Sequence, residues 1–228
     1  MKKTCRTLFY VGCLLSGVEL MQASIVTWQG EVLNGTAPAV TLFTTVLAGN
    51  PQVINVGNLS GDRSFEFIYN AGIGGVSQAL IGSQDSASGR QGLKVDQYMN
   101  TGMYGMTDFG VADYTSTVPY ILNQDVDIVY VSDGIDTQMY LNGALAYTFA
   151  GVDLTITGLN GIGAADDATH TGFFDVLAGN VLGFASYDSA LGPAEVATHY
   201  NSFVIPEPSM EGMASLAGLA AITRRRRL

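Results

Sequence analysis

The residues of this chain best equipped to act on a ligand are aspartates. Asp125 and Asp127 stand two apart in the run Asp125-Val126-Asp127-Ile128-Val129-Tyr130. On a β-strand, positions i and i+2 share a face, so both carboxylates would line one surface, as strand-end acids exposed to solvent with Ile128 and Tyr130 alternating around them. Further on come Asp133 and Asp136 in the approach to a turn, then Asp166, Asp167 and Asp175. Ca2+ takes six to eight oxygen ligands from carboxylates, carbonyls and water. Asp133, Asp136, Asp166, Asp167 and Asp175 are therefore the candidate metal ligands, and Ca2+ is the only cofactor expected. No EF-hand is present, because no Asp-x-Asp-x-Asp-Gly run occurs. Of the two histidines, His170 and His199, the second lies near a helical segment and reads as an interfacial residue rather than a ligand. Gly72-Ile73-Gly74-Gly75 is a glycine turn, since no helical pattern follows it to form a phosphate loop. No Ser-His-Asp pattern with a nucleophile elbow occurs. No catalytic residue is assigned, an enzyme is not expected, and the ligand-binding residues stay unassigned.

The segments that would position these residues read as β. Short runs rich in Val, Ile, Tyr, Phe and Thr recur between Gly, Asn and Asp. Candidate strands are residues 24–28, 52–56, 64–69, 78–82, 103–109, 127–132, 137–141, 145–149, 161–164 and 181–187. Phe65, Phe67 and Tyr69 share a face by period-two alternation. Asn142-Gly143 after Met139-Tyr140-Leu141 predicts a tight hairpin, because a type I′ turn needs positive φ at both central residues. One helix is expected, opening at Pro193 with Glu195 at its positive end and Val196 and Tyr200 on one face. The fold class expected is all-β, a two-sheet antiparallel jelly-roll sandwich with one short C-terminal helix and terminal apolar helices.

Composition agrees with a packed domain. Hydrophobic residues make up 47% of the 228 and charged residues 13%, too apolar for disorder. Residues 24–205 hold three basic residues (Arg63, Arg90, Lys94) against 17 acids, a balance of −14. That charge excludes nucleic acid as a partner, which needs a basic surface to neutralise phosphate, and disfavours anionic lipid.

The two ends differ. Residues 1–23 read as a signal peptide: a basic start with Lys2, Lys3 and Arg6, then an apolar stretch from Thr7 to Val18 too short to span a bilayer. Export would run through the Sec translocon. Cys5 and Cys13 both fall in this segment, so the mature chain would have no disulfide, thiol nucleophile or Cys-based metal site. Residues 204–228 carry Pro206, Glu207 and Pro208, an apolar run from Met210 to Ile222, and Arg224, Arg225, Arg226 and Arg227. The apolar run is short, 13 residues with Glu211 inside, which suits transient inner-membrane insertion with the arginines held on the cytoplasmic side. This order of elements resembles the PEP-CTERM sorting signal. The resemblance implies recognition and cleavage by an exosortase and delivery to the cell surface or extracellular matrix. The domain expected between these ends is residues 24–203.

Two further stretches resemble laminin-G-like, concanavalin A-like domains. One is Ile128 to Gly134 followed by Gln138 to Leu145, a strand ending near Asp-Gly paired with a Leu-Tyr-Val-Asn-Gly-type strand. The other is Leu182 to Tyr200, with a Tyr-Asp-x-Ala-Leu turn before a short helix ending at His199-Tyr200. The resemblance implies a jelly-roll sandwich and a frequent role in binding extracellular polysaccharide or another polymer. Asp125, Asp127 and Tyr130 also resemble the Glu-x-Asp-x-x-Glu strand of laminarinase-type glycoside hydrolases, which share that fold. Retaining glycosidases need two carboxyls about 5–5.5 Å apart, and a Tyr with a pKa near 10 is a poor replacement for the acid. The expectation is therefore a non-catalytic binder of polysaccharide, for which Tyr98, Tyr104 and Tyr114 are candidate exposed aromatics. The alternative is a structural surface protein with no saccharide site, and a hydrolase is the remote one.

Overall fold

A computed structural model describes residues 25, 27–73 and 77–203. The expected signal peptide, and the sorting tail with Pro206, Glu207, Pro208, Arg224, Arg225, Arg226 and Arg227, lie outside these residues, as do Gly74 and Gly75 and the expected terminal helices.

The strands in chain order are β1 (Val40–Leu42), β2 (Gln52–Asn55), β3 (Arg63–Ala71), β4 (Gln78–Gly82), β5 (Gln91–Asp96), β6 (Met103–Asp108) and β7 (Ala112–Pro119). They continue with β8 (Asp125–Ser132), β9 (Thr137–Leu141), β10 (Ala144–Phe149), β11 (Leu159–Ile162), β12 (Ala165–Asp166), β13 (Phe173–Phe174) and β14 (Gly179–Tyr187). Helix α1 covers residues 27–34 and helix α2 is Pro193–Phe203. One six-stranded sheet runs β1-β14-β3-β8-β9-β10 and the other β2-β11-β4-β5-β6-β7, with β12 and β13 as a small extra pair. All pairings between these strands are antiparallel. The fold is the expected two-sheet sandwich with a short C-terminal helix.

Alternation sorts the side chains. In β3, Phe65, Phe67 and Tyr69 enter the core between the sheets, together with Val126, Ile128 and Tyr130 of β8. Their neighbours Ile68, Val129 and Val131 face outward into a second apolar cluster. That cluster exists because both helices cover the outer face of the first sheet, contributing Trp28 and Val32 from α1 and Val196 from α2.

The chain near Trp28 is therefore helical, not the expected strand at residues 24–28. Ile25, Trp28 and Val32 are buried together, and a spacing of three then four is the period of one helical face. Strands β1, β5 and β7 also escape the pattern reading. In β5 a lysine interrupts the apolar run, and β7 carries Asp, Thr and Ser along its length.

The hairpin forms as its sequence predicts. Asn142 and Gly143 have φ of 50° and 77°, and Leu141 pairs with Ala144. Its tip packs on α2, where a Cβ on Gly143 would lie 2.9 Å from Tyr200 Cβ.

Candidate functional site

The outer face of the second sheet, which neither α1 nor α2 covers among the described residues, carries a cleft of about 370 Å3. Its floor is Lys94, which points away from the core because Leu93 and Val95 on either side point into it. The lysine side chain is only 1% exposed. Its Nζ forms an ion pair with Asp175, donates to Ser77 Oγ at 3.2 Å and lies 5.2 Å from the Phe109 ring centroid. Burial lowers the lysine below its usual range, and Asp175 opposes that shift. Phe109 and Phe174 meet edge to face at 5.3 Å and form one wall. Gly92 lets Phe109 lie close to the sheet, since a Cβ there would come within 2.9 Å of the ring.

The other wall is polar. Thr107 and Asp113 form it, and behind them the buried Gln97 donates to the Met106 carbonyl at 2.6 Å and has its amide oxygen 3.1 Å from the Thr107 hydroxyl. Thr107 donates to Asp113 Oδ1 at 2.7 Å. Gly105 leaves room for Gln97, whose side chain a Cβ would meet at 2.9 Å. Asp108 also lines the cleft; burial raises its carboxyl pKa and Arg90 opposes the rise. At the rim Tyr98 is 54% and Val111 74% exposed. The cleft thus joins an apolar wall and rim to fixed carboxylates, the composition of a small-molecule or polymer subsite.

Of the five candidate metal ligands, Asp175 lies in this cleft, bound to Lys94. Asp133 Oδ1 accepts from Ile135 and Asp136 N–H groups, which hold its carboxyl below the usual range. Asp136 Oδ1 accepts from Gly151 N–H at 2.7 Å. Asp167 Oδ1 takes the Thr169 hydroxyl and the Thr169 and Thr171 N–H groups, and its pKa is lowered in turn. Asp166 is buried, with Oδ2 2.5 Å from His170 Nδ1. Asp133 and Asp136 tie one turn, Asp166 and Asp167 tie the loop that carries His170, and Asp175 is taken up by Lys94. Among the described residues no three His, Cys, Asp or Glu side chains converge on a metal position.

The strand of Asp125, Asp127 and Tyr130 corrects another expectation. Asp127 is not an exposed strand-end acid but fully buried beneath the helices, while Tyr130 points to the opposite face, into the core. There its hydroxyl lies 3.4 Å from the Lys94 carbonyl. Burial raises the Asp127 carboxyl well above its usual range, and the neighbouring Glu66 charge adds to this. Glu66 itself accepts from Trp28 Nε1 at 2.7 Å and Tyr187 OH at 2.9 Å, with His199 Nδ1 at 2.9 Å. His199 is interfacial, as expected, between α2 and the sheet. Of the candidate exposed aromatics only Tyr98 is one: Tyr104 is buried with its hydroxyl 2.5 Å from that of Tyr69, and Tyr114 packs partly against the core.

Sequence reasoning passed over Lys94, Gln97, Phe109 and Phe174. The signal for the first was present: a lone lysine between Leu93 and Val95 in a chain whose residues 24–205 contain no other lysine. The other three depend on cross-strand neighbours that local pattern does not specify.

Neither a protein-family model nor a curated protein matches the chain. Solved structures match in fold. NanB with Optactamide superposes with a TM-score of 0.53 at 17% identity, over 75% of this chain and 28% of that one. The NanB sialidase from Streptococcus pneumoniae bound to 2-[(3-chlorobenzyl)ammonio]ethanesulfonate gives 0.52 at 16%, over 74% and 28%. The leech intramolecular trans-sialidase complexed with 2,7-anhydro-Neu5Ac gives 0.50 at 15%, also over 74% and 28%. The chain thus spans less than a third of the length of these proteins. What it shares with that portion of each sialidase is the two-sheet β-sandwich fold.

Proposed function

We propose that this is an exported, surface- or matrix-associated, non-catalytic protein that binds polysaccharide in the cleft on its second sheet. The observation that carries the reading is the exposed Tyr98 at the rim of a cleft whose walls are the Phe109–Phe174 pair and the Thr107–Asp113 network. A sugar ring has an apolar C–H face and a rim of hydroxyl donors, and such a cleft offers an aromatic surface for one and carboxylate acceptors for the other. The burial of Asp127 and the inward direction of Tyr130 support a non-catalytic role, because the one glycosidase-like pattern does not meet in an open cleft. Export rests on the signal-like start and on the tail with Pro206, Glu207 and Pro208 before four arginines, the substrate pattern of an exosortase.

Thermal melts of the protein with a panel of soluble polysaccharides test the binding. A binder of the folded state at a hundredfold excess over its Kd adds about 2.7 kcal/mol of stability. Tyr98→Ala should keep the Tm of the free protein and weaken binding by about tenfold. Absence of any shift would return the protein to the structural reading, and a shift that Tyr98→Ala leaves untouched would move the saccharide site away from this cleft. Cell fractionation after Glu207→Ala tests the sorting step, with loss of the surface-associated form expected.

A further inference from the structure

Resting on that cleft as a saccharide site, we infer that its ligand is a neutral polysaccharide, one without carboxylate or sulfate groups. Five charged residues lie in or beside the cleft. Asp108, Asp113 and Asp175 line it with Lys94, and Arg90 stands just outside, where a Cβ on Gly110 would be 2.9 Å from its Nη2. Lys94 is fully engaged with Asp175, Ser77 and the Phe109 ring. Arg90 acts on Asp108, whose rise in pKa it opposes. With three carboxylates against two cations, one acid is in excess; Asp113 is held in place by the Thr107 hydroxyl.

The cleft therefore presents net negative charge, set within residues 24–205 whose formal balance is −14. The one other arginine of that stretch, Arg63, lies elsewhere and donates to the Gly61 and Ile156 carbonyls at 3.0 and 3.2 Å. A carboxylated or sulfated sugar would meet like charge on approach and in the site. A neutral sugar meets carboxylate acceptors, which its hydroxyls satisfy, and apolar rings, which its C–H face covers.

Polygalacturonate and its methyl-esterified form make a matched test, since esterification removes the charge and keeps the backbone; neutral β-glucan, arabinan and mannan complete the panel. Calorimetry on the purified protein at low and high salt is expected to show binding to a neutral member, with little dependence on salt. Every acidic glycan should bind at least about fivefold weaker than that neutral one. Asp113→Asn, which keeps an oxygen for Thr107, should narrow the gap. Preference for an acidic glycan, lost in Arg90→Gln, would overturn the charge inference while leaving the saccharide site standing. Binding to no glycan, neutral or acidic, would overturn the site itself.

Discussion

Trp28 donates its indole N–H to Glu66 Oε1 across 2.7 Å, which ties helix α1 to the outer face of the first sheet. The contact is tight enough that Gly183 in β14 can carry no side chain, because a Cβ would run into the indole ring. A carboxylate buried at this depth depends on its donors. Trp28→Phe keeps most of the ring volume and removes only the N–H, so about 1.5–3 kcal/mol of stability should be lost. Trp28→Ala adds a cavity and should cost about 3–5 kcal/mol. Urea midpoints measure both, and a Phe variant as stable as the parent would refute the role given to this bond.

Asp127 makes stability fall with rising pH. Its carboxyl is raised well above the ordinary range by burial and by Glu66, so the folded state holds its proton more tightly than the unfolded chain does. The stabilisation is complete below about pH 4, the unfolded value, and is lost as pH climbs toward the folded value. His199 acts in the same direction: burial lowers it, but the hydrogen bond and charge of Glu66 raise it overall. That pair is complete below about pH 6.5 and weakens as pH rises through the folded value. Denaturation midpoints should decline between about pH 5 and pH 8, and Asp127→Asn should flatten the decline. A midpoint that climbs over this interval in the parent would contradict the assignment.

His170 closes a clasp between two loops. Its Nδ1 lies 2.5 Å from Asp166 Oδ2 and its Nε2 3.4 Å from Asp85 Oδ2. The hydrogen bond to Asp166 raises the histidine above its usual value, with Asp85 adding to the effect. The tie is complete below about pH 6.5 and loosens as pH rises through the folded value. An NMR titration of the ring should give a midpoint above that of a free histidine, and Asp166→Asn should bring it down. A midpoint at or below the free value would show that the clasp does not form.

Lys94, buried at the floor of the cleft, pairs with the partly buried Asp175 in its lining. Lys94→Met keeps the length of the side chain but leaves Asp175 without its cation, at a cost of about 3 kcal/mol. Replacing both residues, Lys94→Met with Asp175→Asn, should recover a large part of that loss, because no unpaired charge remains and Asn tolerates the left-handed backbone at this position, φ 50°. Thermal melts of the single and double variants decide it: a double variant no better than Lys94→Met would mean the packing, not the charge, matters here.

Gly143 has φ of 77° and sits against Tyr200 of α2. Gly143→Ala combines an unfavourable backbone with a clash, and more than about 1 kcal/mol should be lost. Gly151, with φ of 69° and nothing within 4 Å of its would-be Cβ, makes the matched comparison, since Ala there meets only the backbone penalty. Equal losses at the two sites would remove α2 from the account of the hairpin.

Much of the sandwich is legible locally. Alternation in Phe65-Glu66-Phe67-Ile68-Tyr69 predicts one face buried in the core, and Phe65, Phe67 and Tyr69 are there. Asn142-Gly143 predicts the hairpin and Pro193 the start of α2, and both form. The cleft was much less legible. Asp175 and Tyr98 are candidates on local grounds, but the pairing of Asp175 with Lys94 joins residues 81 positions apart.

The sequence by itself determined the sandwich class, the tight turn and the acidic surface, because strand period, turn dihedrals and formal charge are properties of neighbouring residues or of simple sums. Tertiary structure alone decided which face of each sheet is open. Helices α1 and α2 cover the outer face of the first sheet, where Asp127 is buried, while among the described residues the second sheet carries on its outer face the cleft lined by Lys94, Phe109 and Asp113. That choice rests on contacts between segments far apart in the chain, such as Trp28 with Gly183, which no local pattern encodes.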